Sequence, residues 1–322
     1  MSHFLNLLVA AAALSLSLPA PAAGRGGARQ TTAPATTQDG WKRYTYPGEE
    51  FSAEWPETPS VFETSRMISR LESESMRVFG LYSGGVVFFV YSYDRPRRHE
   101  TPDYFARHYL GERGLTASRD TSLAGFEGRE YQMRHPFGDP PTTLSGVARV
   151  FRATGHAYLV EAFSDSAGHE REVERFLDSL ALSANPSGET VPPDEPVPPF
   201  KPSKQPPPGT VAGDAAVKLS PQPTPDGPFT PKEVTRKAVI VYKPEPGFTE
   251  EARRDNVTGA VRLRAVLSST GRVTNIAVVN WLRDGLTEKA IQAARHILFF
   301  PAEKDGRAVS QYVVLEYSFN IY

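Results

Sequence analysis

The sequence predicts an α+β protein in which two folded domains are joined by a proline-rich linker. Three observations predict it. Between residues 41 and 182, strand-like runs alternate with helix-like stripes, the pattern of a sheet with helices packed on it. Between residues 186 and 231, 15 of 46 residues are proline while Val, Ile, Leu and Phe together number seven, too few to bury a core. Residues 232–322 then return to alternating apolar patterns with two short helical stripes. A chain of 322 residues, 39% hydrophobic, has material for two domains.

The first 22 residues read as a signal peptide. Residues 4–18 are apolar except for Asn6, Ser15 and Ser17, and Ala20-Pro21-Ala22 fits a small-x-small cleavage site, which places the mature start at Ala23. A membrane-spanning helix needs about 20 apolar residues, and this run is shorter, so cleavage is the expectation. Met1-Ser2-His3 lacks the usual Lys or Arg, which leaves retention as the alternative. Residues 23–40, rich in Thr, Ala and Gly, form an unstructured leader.

In the N-terminal domain, residues 41–183, Val86-Val87-Phe88-Phe89-Val90-Tyr91 is apolar on both faces, as a central strand is. Residues 147–151 and 157–163 are further strands. Thr101-Pro102-Asp103 reads as N-cap, first-turn proline and first-turn acid, opening a helix that carries Phe105 and Tyr109. A second helix places Val173, Phe176, Leu177 and Leu180 on one stripe.

The linker, residues 184–231, reaches roughly 140 Å as polyproline II and about 40 Å as a flexible coil. It is expected between these limits, either as a spacer that keeps two domains apart or as a device that reaches across an extracytoplasmic gap. Residues 40–185 carry 17 basic and 21 acidic residues and residues 232–322 carry 14 and 10, so the halves are −4 and +4. Salt is expected to screen that attraction across so long a linker.

In the C-terminal domain, residues 249–256 form a short helix. Val261, Leu263, Ala265 and Leu267 alternate with polar residues before a Ser268-Ser269-Thr270-Gly271 turn into a second strand. Leu286, Ala290, Ala293 and Ile297 share a helical stripe that Pro301 ends. Residues 309–321 form a long last strand with Val313, Leu315, Tyr317, Phe319 and Ile321 on one face, interrupted by Gln311.

Chemistry-bearing constellations are sparse. The chain has no cysteine, which excludes disulfides, thiolate metal sites, a cysteine nucleophile and a lipidated N-terminal cysteine. It has no Gly-x-Ser-x-Gly elbow, no His-Glu-x-x-His and no phosphate-binding glycine loop. His3, His99, His108, His135, His156, His169 and His296 are scattered without metal-ligand spacing. His169 with Glu170, Glu172 and Glu174 reads as a solvated helix start, and Arg95, Arg97, Arg98 and His99 as a solvated basic loop. A net charge of −1 implies no nucleic-acid partner. No enzyme, metal or cofactor is expected.

Several ordered motifs in the last quarter resemble the C-terminal domain of the TonB family of energy transducers. They are Lys243-Pro244-Glu245-Pro246-Gly247-Phe248, Gly259-Ala260-Val261-Arg262-Leu263, Gly271-Arg272-Val273, Leu286-Thr287-Glu288-Lys289-Ala290, and Phe299-Phe300-Pro301-Ala302 followed by Gly306. Phe248-Thr249 stands where the family commonly has Tyr-Pro. The resemblance implies two helices on a small antiparallel sheet and peptide binding by β-augmentation. An extended segment of an outer-membrane transporter, like a TonB box, adds to the edge of the last strand. It nominates Ser310, Tyr312, Val314 and Glu316 as selectivity residues and Glu245 as a nearby contact. Inner-membrane motor proteins are further partners if the N-terminus is retained. The expected location is the periplasm or cell envelope. The alternative is a soluble extracytoplasmic scaffold whose C-terminal domain self-associates into a homodimer. Trp41-Lys42-Arg43-Tyr44, Phe51-Ser52-Ala53-Glu54-Trp55-Pro56, residues 125–131 and the Phe176-Leu177-Asp178-Ser179-Leu180 helix resemble PsbP-like domains, here as an α/β sandwich-like fold.

Overall fold

A computed structural model describes residues 40–69, 72–94, 101–107, 115–137, 141–201 and 227–320. The signal peptide and leader, most of the linker, the Arg95–His99 cluster, and His108 and Tyr109 of the first helix lie outside the described residues. Among those described, no helix is long and apolar enough to cross a membrane.

The elements run in chain order as β1 (Lys42–Thr45), β2 (Phe51–Trp55), β3 (Ser60–Ser69), β4 (Glu72–Ser83), β5 (Val86–Asp94), α1 (Pro102–Phe105), β6 (Leu115–Leu123), β7 (Phe126–Phe137), β8 (Thr142–Arg152), β9 (His156–Ser164), α2 (Glu170–Ser179), β10 (Ala181–Leu182) and β11 (Glu189–Thr190). They continue as β12 (Val239–Tyr242), α3 (Glu250–Arg254), β13 (Gly259–Leu267), β14 (Val273–Asn280), α4 (Leu286–Arg295), β15 (Leu298–Phe300), β16 (Ala302–Lys304), β17 (Arg307–Val309) and β18 (Gln311–Phe319).

A seven-stranded antiparallel sheet, ordered β3-β4-β5-β9-β8-β7-β6, forms the middle layer. Strands β5 and β9 are buried on both faces, which is why their sequences are apolar without alternation. On one face, Phe88 and Val90 meet α2 and the small β10-β2-β1-β11 sheet, with Phe176 seated 4.7 Å from Trp55 and 5.0 Å from Phe88, ring to ring. Helix α2 buries Val173, Phe176 and Leu177, the stripe its periodicity predicts. Helix α1 is a single turn with Thr101 Oγ1 accepting the Tyr104 N–H (3.2 Å) and Phe105 buried.

The other face of the sheet is covered by the C-terminal half. Val239, Leu298 and Phe300 from β12 and β15 join one core with Phe89, Tyr91 and Phe163. Each such side chain contributes about 1.5–3 kcal/mol on burial, so apolar packing rather than opposite net charge joins the halves. Arg236 with Asp165 (2.7 Å) and Arg272 with Glu57 (3.1 Å) are ion pairs between the halves. Gly80 makes the approach possible, since a Cβ there would lie 2.3 Å from Leu298 Cδ1. Gly271, at φ +79° in the β13–β14 turn, packs so closely on Tyr82 that a Cβ would lie 2.2 Å from its ring.

The first part of the proline-rich stretch is threaded along both halves. Glu189 and Thr190 pair in parallel with β1, and Val191 is buried in the first core. Farther on, Asp194 accepts from His296 and Gln292, the Glu195 carbonyl accepts from Arg295 (3.0 Å), and the Phe200 N–H donates to Glu288 (2.7 Å). These partners, 288, 292, 295 and 296, fall on one face along α4 and its C-cap.

Two predicted boundaries are corrected. The helix over 286–297 ends at Arg295, and β15 stands between it and Pro301, because Leu298 and Phe300 are needed across from β12 and on the central sheet. The long last strand is two: β17 closes a hairpin on β16, and β18 begins at Gln311. Ser310 is the joint, its Oγ accepting the Ser269 N–H (3.1 Å).

Candidate functional site

The β14-β13-β18 sheet is antiparallel and carries α3 and α4 on one face. Ala290, Ala293 and Ala294 are fully buried, and such small side chains let α4 lie close to the strands. Leu315, Tyr317 and Phe319 of β18 face this core, and Gln311 caps its end by accepting the Ala238 N–H (3.1 Å). That bond is the reason a polar residue interrupts the apolar face.

Strand β18 is the edge of this sheet. In a strand, the N–H and C=O of one residue point the same way and alternate from residue to residue. Tyr312 donates its N–H to the Phe229 carbonyl (2.9 Å) and the Glu316 carbonyl accepts from Lys243 Nζ (2.7 Å). The even-numbered residues therefore present their backbone away from β13, and the outer row is Tyr312, Val314, Glu316 and Ser318. Among the described residues, the N–H and C=O of Val314 and Ser318 and the N–H of Glu316 have no protein partner. Val314, 57% exposed, is the most exposed large apolar side chain among the described residues.

The nominated residues divide by position. Tyr312, Val314 and Glu316 line the outer row on the solvent face, where Glu316 pairs with Arg262 (2.6 Å). Ser310 lies just before the strand with its hydroxyl bonded to Ser269 and its carbonyl to the Phe229 N–H (2.8 Å). Glu245 is exposed on the segment that passes the same edge. Two residues before it, Lys243 also lies 4.4 Å above the Tyr317 ring. Burial pushes the Tyr317 hydroxyl pKa up, and the Glu245 charge adds to it. The Tyr317 hydroxyl is buried with no hydrogen-bond partner among the described residues.

Lys243 and Phe229 are the edge residues that sequence reasoning did not single out. For Phe229 a signal existed: in residues 186–231 the aromatics are Phe200 and Phe229, and both are docked, Phe200 against Trp281 and Phe229 against β18.

A cavity of about 630 Å³ is lined by Glu245, Pro246 and Gly247 together with Phe62 and Arg77 of the central sheet and Asp194 of the proline-rich stretch. Two of the described histidines are held by polar partners: His296 sits between Ser60 Oγ (2.5 Å) and Asp194 Oδ2 (2.6 Å), and His156 between Glu50 (3.2 Å) and Asp94 (3.5 Å). Among the described residues, no group of three or more His, Asp or Glu is placed to hold a metal ion.

Residues 244–321 match the family described as Gram-negative bacterial TonB protein C-terminal. The resemblance read from the motifs thus holds over that stretch. A weak structural resemblance, with 12% identity and a TM-score of 0.34, extends to the solution structure of cyanobacterial PsbP (CyanoP) from Synechocystis sp. PCC 6803, over 48% of this chain and 99% of that one. Among curated proteins none matches the chain.

Proposed function

We propose that this is a TonB-like protein of the cell envelope whose C-terminal domain grips an extended segment of an outer-membrane transporter by β-augmentation. The observation that supports it most is the outer row of β18, where unpaired backbone groups run from Val314 to Ser318 in a domain that matches the TonB C-terminal family. Main-chain pairing supplies attachment without a fixed side-chain sequence. Tyr312, Val314 and Glu316 would read the residues that the incoming strand lays beside them, and Glu245 would meet its other side. Lys243 is the kind of charged residue that blunts an edge against promiscuous pairing. An incoming strand displaces one exposed hydrogen bond there and gains a row of new ones.

The test is a titration of the full chain with a synthetic peptide carrying the extended transporter segment, beside Val314→Pro. The Val314 N–H faces away from β13, so proline at this edge position removes an outward donor and no ladder bond. The variant is expected to stay folded by circular dichroism and to lose at least about tenfold in affinity, the value of roughly one hydrogen bond. Undiminished binding by the folded variant contradicts the reading.

A further inference from the structure

The near end of the binding edge is already occupied by the chain itself. Phe229 bridges Gln311 in parallel: its N–H donates to the Ser310 carbonyl (2.8 Å) and its carbonyl accepts the Tyr312 N–H (2.9 Å). Its ring lies 4.2 Å beneath Lys304 Nζ. These are the bonds an added strand makes, supplied in cis by the end of the proline-rich segment.

The bridge is limited by its own sequence. The next residue of a parallel strand to donate toward the Tyr312 carbonyl would be Pro231, which has no N–H. The chain instead turns away, with Glu233 accepting from the Thr230 N–H and hydroxyl (2.7 Å each). It is then anchored on β16 through Thr235, Arg236 and Glu303. So short a tether keeps Phe229 beside the edge, and two backbone bonds formed intramolecularly need little affinity to stay closed.

Resting on the reading of β18 as a peptide-binding edge, we infer that residues 228–230 are a resident competitor for it. With the strap seated, a partner pairs only with Val314–Ser318. With it released, the edge extends through Tyr312 and Ser310. Partner affinity is then reduced by the fraction of time that the strap is closed.

The experiment compares the full wild-type chain with Phe229→Pro, which removes the donor to Ser310 and the ring beneath Lys304, and with the milder Phe229→Ala. Hydrogen exchange of the free proteins comes first. The Tyr312 amide is expected to be protected in wild type and to exchange as fast as the Val314 amide in Phe229→Pro; fast exchange at Tyr312 in wild type overturns the strap without involving any partner. The same transporter peptide is then titrated. Phe229→Pro is expected to bind about tenfold more tightly with protection extended to Tyr312, and Phe229→Ala to fall between. Equal affinity in all three, with Val314 still protected by peptide, overturns the competitor and leaves the edge reading standing. Absence of binding in all three overturns both.

Discussion

Three segments far apart in sequence meet at His296, whose ring nitrogens face Ser60 of β3 and Asp194 of the proline-rich stretch. Burial alone would raise the Asp194 pKa. The hydrogen bond and charge of His296, aided by Gln292 and Arg295, outweigh it and hold the carboxyl below its ordinary value. A carboxyl whose pKa is depressed by folding stabilises the native state above the unfolded pKa of about 4, and that contribution is lost as pH falls through the lower folded value. Asp194→Asn is therefore expected to be less stable than wild type at pH 7 and to lose less stability on acidification, so that urea midpoints of the two converge below about pH 4. Parallel profiles across that range would show that Asp194 does not stabilise the junction at His296. The sequence reads His296 as one of seven histidines without metal-ligand spacing, and in the fold it is buried. Its partners were not legible, because Ser60 and Asp194 lie 236 and 102 positions away and carry no local pattern.

Elements whose evidence is local were legible at their own scale. Thr249 occupies the position where TonB relatives commonly have proline, and it opens α3 as a true cap: its hydroxyl accepts the Ala252 N–H (3.1 Å) and donates to the Asp284 carbonyl (2.6 Å). Thr249→Ala is expected to cost about 1–2 kcal/mol in chemical denaturation, most of it the lost cap; a change below about 0.3 kcal/mol would show that the helix does not depend on it. The α2 stripe and the period of β18 were likewise read correctly, since burial on one face writes itself into side-chain choice. The break at Ser310 was hidden, because alternation continues through it while hydrogen-bond partners change. At Phe229 one of the two aromatics of the proline-rich stretch marks a docked residue, but the bridge itself was hidden for a related reason, as backbone pairing of a single residue needs no side-chain pattern.

For the whole molecule, the apolar character of both faces of β5 announced that each was covered, and composition did not say by what. One cover is α2 with the small sheet; the other is β12 and β15 of the TonB-like half. Gly80→Val places a side chain where Leu298 sits and is expected to unseat that half, seen as a larger hydrodynamic radius and faster proteolysis of the chain; an unchanged radius and protease pattern would show that the interface tolerates the added volume. The docked arrangement leaves the outer row of β18 facing away from β13, and on that row the functional account turns. Residue-resolved hydrogen exchange of the full chain, with and without the transporter peptide, tests it most directly. The amides of Val314, Glu316 and Ser318 are expected to exchange rapidly in the free protein and to become protected together when peptide is added. Protection of all three before any peptide is present, or binding that leaves them exchanging as before, would contradict it.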